Sequence, residues 1–358
     1  MELTKVLSAA LVMSFLGIVG CSNGGSSFSI LSSTQKFSQA TQDNRVDVLW
    51  VIDNSGSMAP SQQQLADNFP SFITTFQNKG FDFNIAVTTT DAFMAQDEFE
   101  YDPYNPFWEG LPQAEKAHFR DGLGSNHSGH RVLNPLTPDL HDSFITNIMQ
   151  GTSGSGDERS LESMKVALES PLNTGFRRPG VFLAVIVVTD EEDFSHPGAY
   201  MTESYSDPNL FTVQSYKDYL DTLTLSTEGN RKYSVNSVTI QSLSDPLCVG
   251  QLHDVSKVPL RVHQLVDETG GTRANLCGDF ADELDNLSGS IVQLASQFSL
   301  GGADPVISTI KVFIDGVELP SSAWTYIASS NSIQFQADSV PPSGADINVT
   351  FDPKEVTF

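Results

Sequence analysis

The chain has 358 residues, of which 44 are acidic and 19 basic, so the formal net charge is −25 at pH 7. Attachment to nucleic-acid phosphates, or to anionic lipid by charge alone, requires basic patches, so this balance disfavours both. The hydrophobic fraction of 39% is typical of a globular protein, and the length allows a large domain and a smaller one.

The first residues have the features of an export signal. Lys5 precedes an apolar run at 6–19, which is too short for a transmembrane helix of about 20 residues. Residues 18–21 read Ile-Val-Gly-Cys, and the whole segment resembles a bacterial lipoprotein signal peptide. The resemblance implies removal of residues 1–20, acylation of Cys21 and a protein anchored by lipid in the bacterial cell envelope, at the outer membrane or cell surface. An ordinary secretory signal is the alternative.

After the signal, a polar linker leads into alternating strands and helices. Residues 21–43 begin with small polar side chains and predict a flexible tether. The next region, 44–300, opens with a nearly continuous apolar strand at 46–53, and an amphipathic helix follows at 57–77. Further strands are predicted at 83–88, 181–189, 233–241 and 273–276, and further helices at 144–149, 161–168, 216–225, 259–267 and 280–298. Strands separated by helices predict an α/β domain with a mostly parallel central sheet.

An insertion at 91–131 interrupts this alternation. It combines many acidic residues with seven large aromatic residues: Phe93, Phe99, Tyr101, Tyr104, Phe107, Trp108 and Phe119. Two interpretations are open. The aromatic side chains contact a sugar or protein ligand, or they pack the insertion onto the domain.

The pattern changes to strict alternation at the C-terminal end, in residues 304–358. Apolar residues at 310, 312 and 314 are followed by Asp315-Gly316, a typical hairpin turn, and then by Val317 and Leu319. Later alternating stretches predict further short strands. We therefore expect a small antiparallel module, similar to a β-sandwich, that docks on the main domain.

Two of the predicted buried strands end at aspartates. Asp53 follows the first strand and begins the sequence Asp-Asn-Ser-Gly-Ser, which also contains Ser55 and Ser57. Asp190 directly follows the most apolar strand. Parallel strands end at one edge of the sheet, so these four side chains are expected to converge there. Carboxylate and hydroxyl oxygens are the ligands that a hard divalent cation prefers.

This arrangement resembles von Willebrand factor type A domains over about 46–298. The resemblance implies a Rossmann-like fold with a divalent cation, Mg²⁺ or alternatively Ca²⁺ or Mn²⁺, at Asp53, Ser55, Ser57 and Asp190. It also implies that the serines coordinate the cation directly, whereas the aspartates usually act through water. A carboxylate of a protein partner then fills the open coordination position. Chelators should abolish such binding.

The middle loop of the site, which supplies a threonine in that family, is less regular here. Its sequence at 151–158 is Gly-Thr-Ser-Gly-Ser-Gly-Asp-Glu. Ser155 lies at the expected spacing before the next helix, Thr152 is the only threonine, and Glu158 is also able to reach inward.

The third loop is unusually acidic. Glu191 stands where many family members have glycine, and it begins the run Glu191-Glu192-Asp193. We expect a solvated acidic turn here, with a second cation as the alternative.

The remaining cysteines are Cys248 and Cys277, which we expect to form a disulfide in an oxidising compartment. Two buried thiols are the alternative.

The sequence contains no nucleophile elbow, phosphate-binding loop or zinc-protease motif. We therefore expect a non-enzymatic, lipid-anchored binding protein that acts in adhesion or recognition and contacts the membrane only through its anchor. An assembly or scaffold role in the cell envelope is the alternative, and a metal-dependent hydrolase is a weaker one.

Overall fold

The computed structural model describes residues 44–99, 111–227, 230–246, 248, 257–301 and 304–354, together with the backbone of 35–39. The predicted signal peptide and Cys21 lie outside the described residues. Within the described part of the chain, no helix has the length and apolar character needed to cross a membrane.

The secondary structure begins as strands alternating with helices and ends as short strands. The strands are β1 (Gln35–Gln39), β2 (Arg45–Ile52), β3 (Asp82–Thr89), β4 (Gly122–Leu123), β5 (Asn126–His127), β6 (Val132–Leu133), β7 (Phe182–Thr189), β8 (Tyr233–Thr239), β9 (Arg273–Asn275), β10 (Phe298–Ser299), β11 (Lys311–Ile314), β12 (Val317–Glu318), β13 (Trp324–Ile327), β14 (Ser332–Phe335) and β15 (Ile347–Phe351). The helices are α1 (Ala59–Asn78), α2 (Leu140–Ile148), α3 (Ser160–Glu169), α4 (Val213–Thr224), α5 (Leu260–Thr269) and α6 (Phe280–Ala295).

A six-stranded sheet forms the centre of the α/β part, in the order β6-β3-β2-β7-β8-β9. Five of these strands are parallel, and β6 pairs antiparallel with β3 at one edge. The chain moves from β2 outward to β3 and β6 and then returns to β7 on the other side of β2. The strand order therefore reverses between β2 and β7, and in open α/β sheets ligands bind beyond the strand ends at such a point.

Helices cover both faces of this sheet, which explains why β2 is nearly continuously apolar. Val48 and Trp50 face a core that includes side chains from α1, α2 and α6. Leu49 and Val51 face a second core that includes side chains from α3, α4 and α5. The prediction of a mixed α/β fold with a mostly parallel central sheet is confirmed.

The C-terminal residues, joined by β1, form two small antiparallel sheets, in the orders β1-β15-β11-β12 and β10-β14-β13. Phe335 and Val349 of this module belong to the same buried cluster as Phe72 of α1, so the module shares a core with the α/β part. The predicted hairpin between β11 and β12 is present, with Asp315 and Gly316 both at positive φ.

The boundaries of the module differ from those predicted. Strand β1 falls inside the predicted tether at 21–43, where it pairs with β15 over five residues. Strand β10 precedes residue 304 and pairs with β14. Both segments are too short to show a clear alternating pattern in the sequence. Their positions are set by backbone hydrogen bonds to the edge of a neighbouring strand. Residues 35–39, which the sequence assigned to the flexible tether at 21–43, therefore form a strand.

In the insertion at 91–131, the described aromatic residues pack onto the domain. Phe93 and Phe99 are buried and meet edge to face, and Phe119 contacts Phe176 in the same way. The packing interpretation holds for these side chains, whereas the aromatic residues at 101–108 lie outside the described residues.

Cys248 and Cys277 form a disulfide with a Cα–Cα distance of 5.1 Å, and the two residues are 29 positions apart in the sequence. It links the segment after β8 to the segment between β9 and α6, and both cysteines are buried in the core under α6. The expected pairing is present.

Candidate metal centre

Asp53 and Asp190 lie side by side beyond the ends of β2 and β7. The two strands are hydrogen-bonded neighbours, and the register continues past them because the Asp53 amide donates to the carbonyl of Val188 at 2.9 Å. Both aspartate side chains are buried. The Thr189 hydroxyl donates to Asp53 at 2.7 Å, and the Ser57 hydroxyl donates to Asp190 at 3.1 Å. The structure therefore brings the two strand-terminal aspartates together at the reversal point.

The turn after β2 places both serines at the same point. The amide of Ser55 donates to the Asp53 carboxylate at 2.8 Å, which folds the loop back over the strand end. The hydroxyl oxygens of Ser55 and Ser57 are then 3.2 Å apart. Two carboxylates and two hydroxyl groups thus converge, as predicted from the positions of these residues after the strands.

The middle loop contributes Glu158. Its carboxylate, with those of Asp53 and Asp190, supplies three oxygens that all lie within 4.8 Å of one another, and all three residues are buried. Thr152 is exposed, and the Ser155 hydroxyl accepts a hydrogen bond from the Asp157 amide at 2.9 Å. Of the three middle-loop candidates, Glu158 is therefore the one whose side chain joins the two aspartates.

Close contacts hold the middle loop against the first one. The Gly154 amide donates to the carbonyl of Asn54 at 2.9 Å, and a Cβ atom at Gly154 would lie 2.5 Å from the Asn54 side chain. Asp91, which is buried just beyond β3, accepts hydrogen bonds from the Ser155 amide and the Asn54 side chain. The Gln62 side chain joins the two loops by donating to the carbonyls of Asp53 and Gly151.

Arg159 connects the middle loop to the third loop. Its guanidinium group is buried, pairs with Asp157 at 2.6 Å and donates to the carbonyls of His196 and Tyr200. It also lies over the ring of Phe93, 4.5 Å from the ring centre. This cation–π contact and the hydrogen bonds fix the backbone next to Glu158.

Burial, together with neighbouring negative charge, raises the pKa of three acids of the site. The pKa of Asp190 rises to about 6 because of burial and then the charge of Asp53. The pKa of Glu191 rises to about 7 because of burial and then the charge of Asp190. Burial, followed by the neighbouring Asp53, also raises the pKa of Glu158 well above its usual value. Without a counter-charge, the cluster is thus costly to ionise, and a divalent cation would remove that cost.

The acidic turn after Asp190 is not solvated, contrary to expectation. Glu192 and Asp193 are both buried, and their carboxylates accept hydrogen bonds at the starts of two helices. Glu192 accepts from the Arg261 amide of α5, and Asp193 accepts from the Leu161 amide of α3 at 2.9 Å. Carboxylates bind well there because the first amides of a helix have no partners within it. These two acids are therefore part of the fold's framework.

The supporting residues were the hardest to predict from sequence. Asp91 lies two residues after the end of a buried parallel strand, so a slightly wider version of the rule that found Asp53 and Asp190 would have found it. Asn54 and Arg159 gave no comparable signal, because their contacts depend on loops that meet only in the folded chain.

The chain matches no protein-family model and no curated protein. Among solved structures, it is similar to two crystal structures of the pilus adhesin SpaC from Lactobacillus rhamnosus GG, one of them in an open conformation, with a TM-score of 0.38 in each case. The sequence identities are 11% and 12%, and the matches cover 89% of this chain and 42% of the adhesin. The chain thus spans less than half the length of that protein. A similarity at this level carries no argument about function.

Proposed function

We propose that this protein is a non-enzymatic binding protein that captures a protein partner through a divalent cation held in a von Willebrand factor type A-like site. The observation that carries the proposal is the meeting of Asp53, Glu158 and Asp190 at the reversal point of a parallel sheet. Oxygen ligands in such a cluster suit Mg²⁺, Mn²⁺ or Ca²⁺.

In this proposal, each loop has a distinct role. Asp53, Glu158 and Asp190 supply the negative charge that attracts the cation. Ser55 and Ser57 supply neutral oxygens, and Ser57, which is only partly buried, marks the more open side of the cluster. The partner approaches from that side, and its carboxylate completes the cation's coordination.

A third carboxylate distinguishes this site from one built on two aspartates and a threonine. Added ligand charge strengthens cation binding and favours Ca²⁺ relative to a less charged site. It also reduces the attraction of the bound cation for a further carboxylate, because like charges then lie close together. We propose that Glu158 strengthens binding of the cation and weakens binding of the partner's carboxylate.

The cellular setting is part of the proposal. Acylation at Cys21 would hold the protein in the bacterial cell envelope. Replacement of Cys21 by serine should release the protein into the soluble fraction, whereas persistence of that variant in the membrane fraction would contradict the anchor.

Partner capture can be tested with the immobilised full chain. Envelope extracts and intact cells are passed over it with Mg²⁺, with Ca²⁺, or with excess chelator, and bound proteins are identified by mass spectrometry. The matched variants are D53A, which removes a site carboxylate, and D338A, which removes an exposed one. The proposal predicts partners that are retained by wild type and D338A, lost with D53A or chelator, and displaced by a soluble acidic peptide. Binding that ignores both chelator and D53A would refute it.

A further inference from the structure

A cavity of about 320 Å³ lies at the edge of the central sheet opposite to the metal centre. Arg45 at the start of β2, Phe182 at the start of β7 and Lys232 just before β8 all line it, so it opens at the amino ends of three adjacent parallel strands. The end of α6 and the short strands β10 and β14 close the other side, through Ser299 and Ser332 among others. Its volume is at the lower end of the range for small-molecule sites.

The charge of the cavity is opposite to that of the protein. Three of the chain's 19 basic residues, Arg45, Arg231 and Lys232, line it, although the chain carries a net charge of −25. None of the described residues that line it is acidic. A concentration of positive charge inside a concave, partly enclosed surface attracts anions and strengthens their hydrogen bonds.

Contacts with the surrounding structure fix the two basic residues before β8. The Lys232 amide donates to the Ser226 hydroxyl at 2.9 Å, and its carbonyl accepts from the Leu183 amide at 3.0 Å. Its backbone is thereby held from both sides. No hydrogen bond or ion pair joins the Lys232 ammonium group to another residue that the structure describes. An anionic ligand is therefore able to pair with this ammonium group without breaking a contact among those residues.

The guanidinium group of Arg231 is held but only partly neutralised. Its Nη1 donates to the carbonyl of Glu268 at 2.7 Å, and its plane lies beside the ring of Tyr233. Asp221 forms a long ion pair with this group, with a carboxylate oxygen 3.9 Å from Nε, which is beyond hydrogen-bond distance. The Nε atom is buried without a hydrogen-bond partner. Positive charge therefore remains available beside Lys232.

We propose that this cavity binds a small organic anion that carries a carboxylate or phosphate group. Lys232 and Arg231 neutralise the anionic group, and the serine hydroxyls on the opposite wall contact the polar remainder of the ligand. The site is separate from the metal centre and needs no cation, because its own side chains supply the positive charge.

The test is calorimetric titration of the purified full chain, stripped of divalent cations, with phosphate, glycerol 3-phosphate, sulfate and malonate. Each is used at one ionic strength set by NaCl, and polycarboxylate chelators are removed beforehand because they are anions themselves. The variants are K232Q, K232R, which keeps the charge, and K311Q, which removes an exposed lysine of β11. D53A is included as a variant of the metal centre.

We expect one saturable site for at least one carboxylate or phosphate ligand. Its affinity should fall about tenfold or more in K232Q, because a charged hydrogen bond is lost, and should be retained in K232R, K311Q and D53A. Absence of saturable binding to all four anions would overturn the proposal, and so would equal affinity in K232Q and K311Q. Binding of sulfate alone, without any carboxylate or phosphate, would also contradict the assigned ligand class.

Discussion

The hydroxyl group of Ser57 donates a 3.1 Å hydrogen bond to the carboxylate of Asp190, although 133 positions separate the two residues in the chain. The contact forms because their loops follow neighbouring strands of a parallel sheet at the point where the strand order reverses. It joins the first and third loops of the candidate metal centre, so a substitution in one loop should shift the position of the other.

Glu158 should control the balance between cation retention and partner capture. E158Q removes a carboxylate that lies within 4.8 Å of the other two, so cation affinity should fall about tenfold or more, with Ca²⁺ affected more than Mg²⁺. At saturating cation, the variant should bind an acidic partner more tightly because repulsion is reduced. Calorimetry measures both effects. T152A, which alters an exposed side chain of the same loop, is the control, and equal cation affinities in E158Q and T152A would contradict the role.

Gly154 should be required because the two loops touch there. In G154A, the new Cβ would lie 2.5 Å from the side chain of Asn54, so either this side chain gives up its hydrogen bond to Asp91 or the middle loop moves away from the first loop. We expect a destabilisation of about 1–3 kcal/mol and weaker cation binding. The matched variant is G156A, since a Cβ at Gly156 meets nothing within 4 Å. Thermal unfolding and cation titration of the two variants should differ clearly, and indistinguishable results would mean that the close approach is unimportant.

His263 should make the protein less stable in acid. It is buried on α5 and bonded to the Thr239 hydroxyl, and burial followed by the charge of Arg273 lowers its pKa to about 4. The unfolded chain therefore takes up the proton more readily than the folded one. The stability provided by neutral His263 is complete above about pH 6.5 and is lost progressively as the pH falls toward 4, by at most about 3 kcal/mol.

H263Q keeps a polar group beside Thr239 but does not titrate in this range. Denaturant unfolding at a series of pH values should therefore show a smaller loss of stability between pH 6.5 and 4 in H263Q than in wild type. H141Q, which alters a partly exposed histidine, should follow the wild-type curve. Parallel curves for wild type and H263Q would show that His263 does not contribute.

The sequence was most informative where one pattern determines the structure. Continuous apolar runs are required in strands buried on both faces, so β2 and β7 were predicted nearly to the residue, and the aspartates after them were placed correctly. Strand β1 has no such pattern. Its position is set by pairing with the edge of β15, which the sequence of β1 alone does not reveal.

Loop contacts limited the prediction of the site in the same way. Spacing alone favoured Ser155 in the middle loop, whereas the structure turns its hydroxyl toward Asp157 and brings in Glu158. The acidic run after Asp190 has the composition of a solvated turn, and its burial depends on the amides at the starts of α3 and α5. Such contacts between distant segments leave no periodic signal in the sequence.

The most direct test of the metal centre is calorimetric titration of the chelator-stripped full chain with Mn²⁺, Mg²⁺ and Ca²⁺, comparing wild type, D53A and D338A. We expect one cation per chain in wild type and D338A, and affinity weaker by about tenfold or more in D53A, because this variant loses a buried carboxylate at the centre of the cluster. Equal affinities in wild type and D53A, or no cation binding by wild type, would contradict the account.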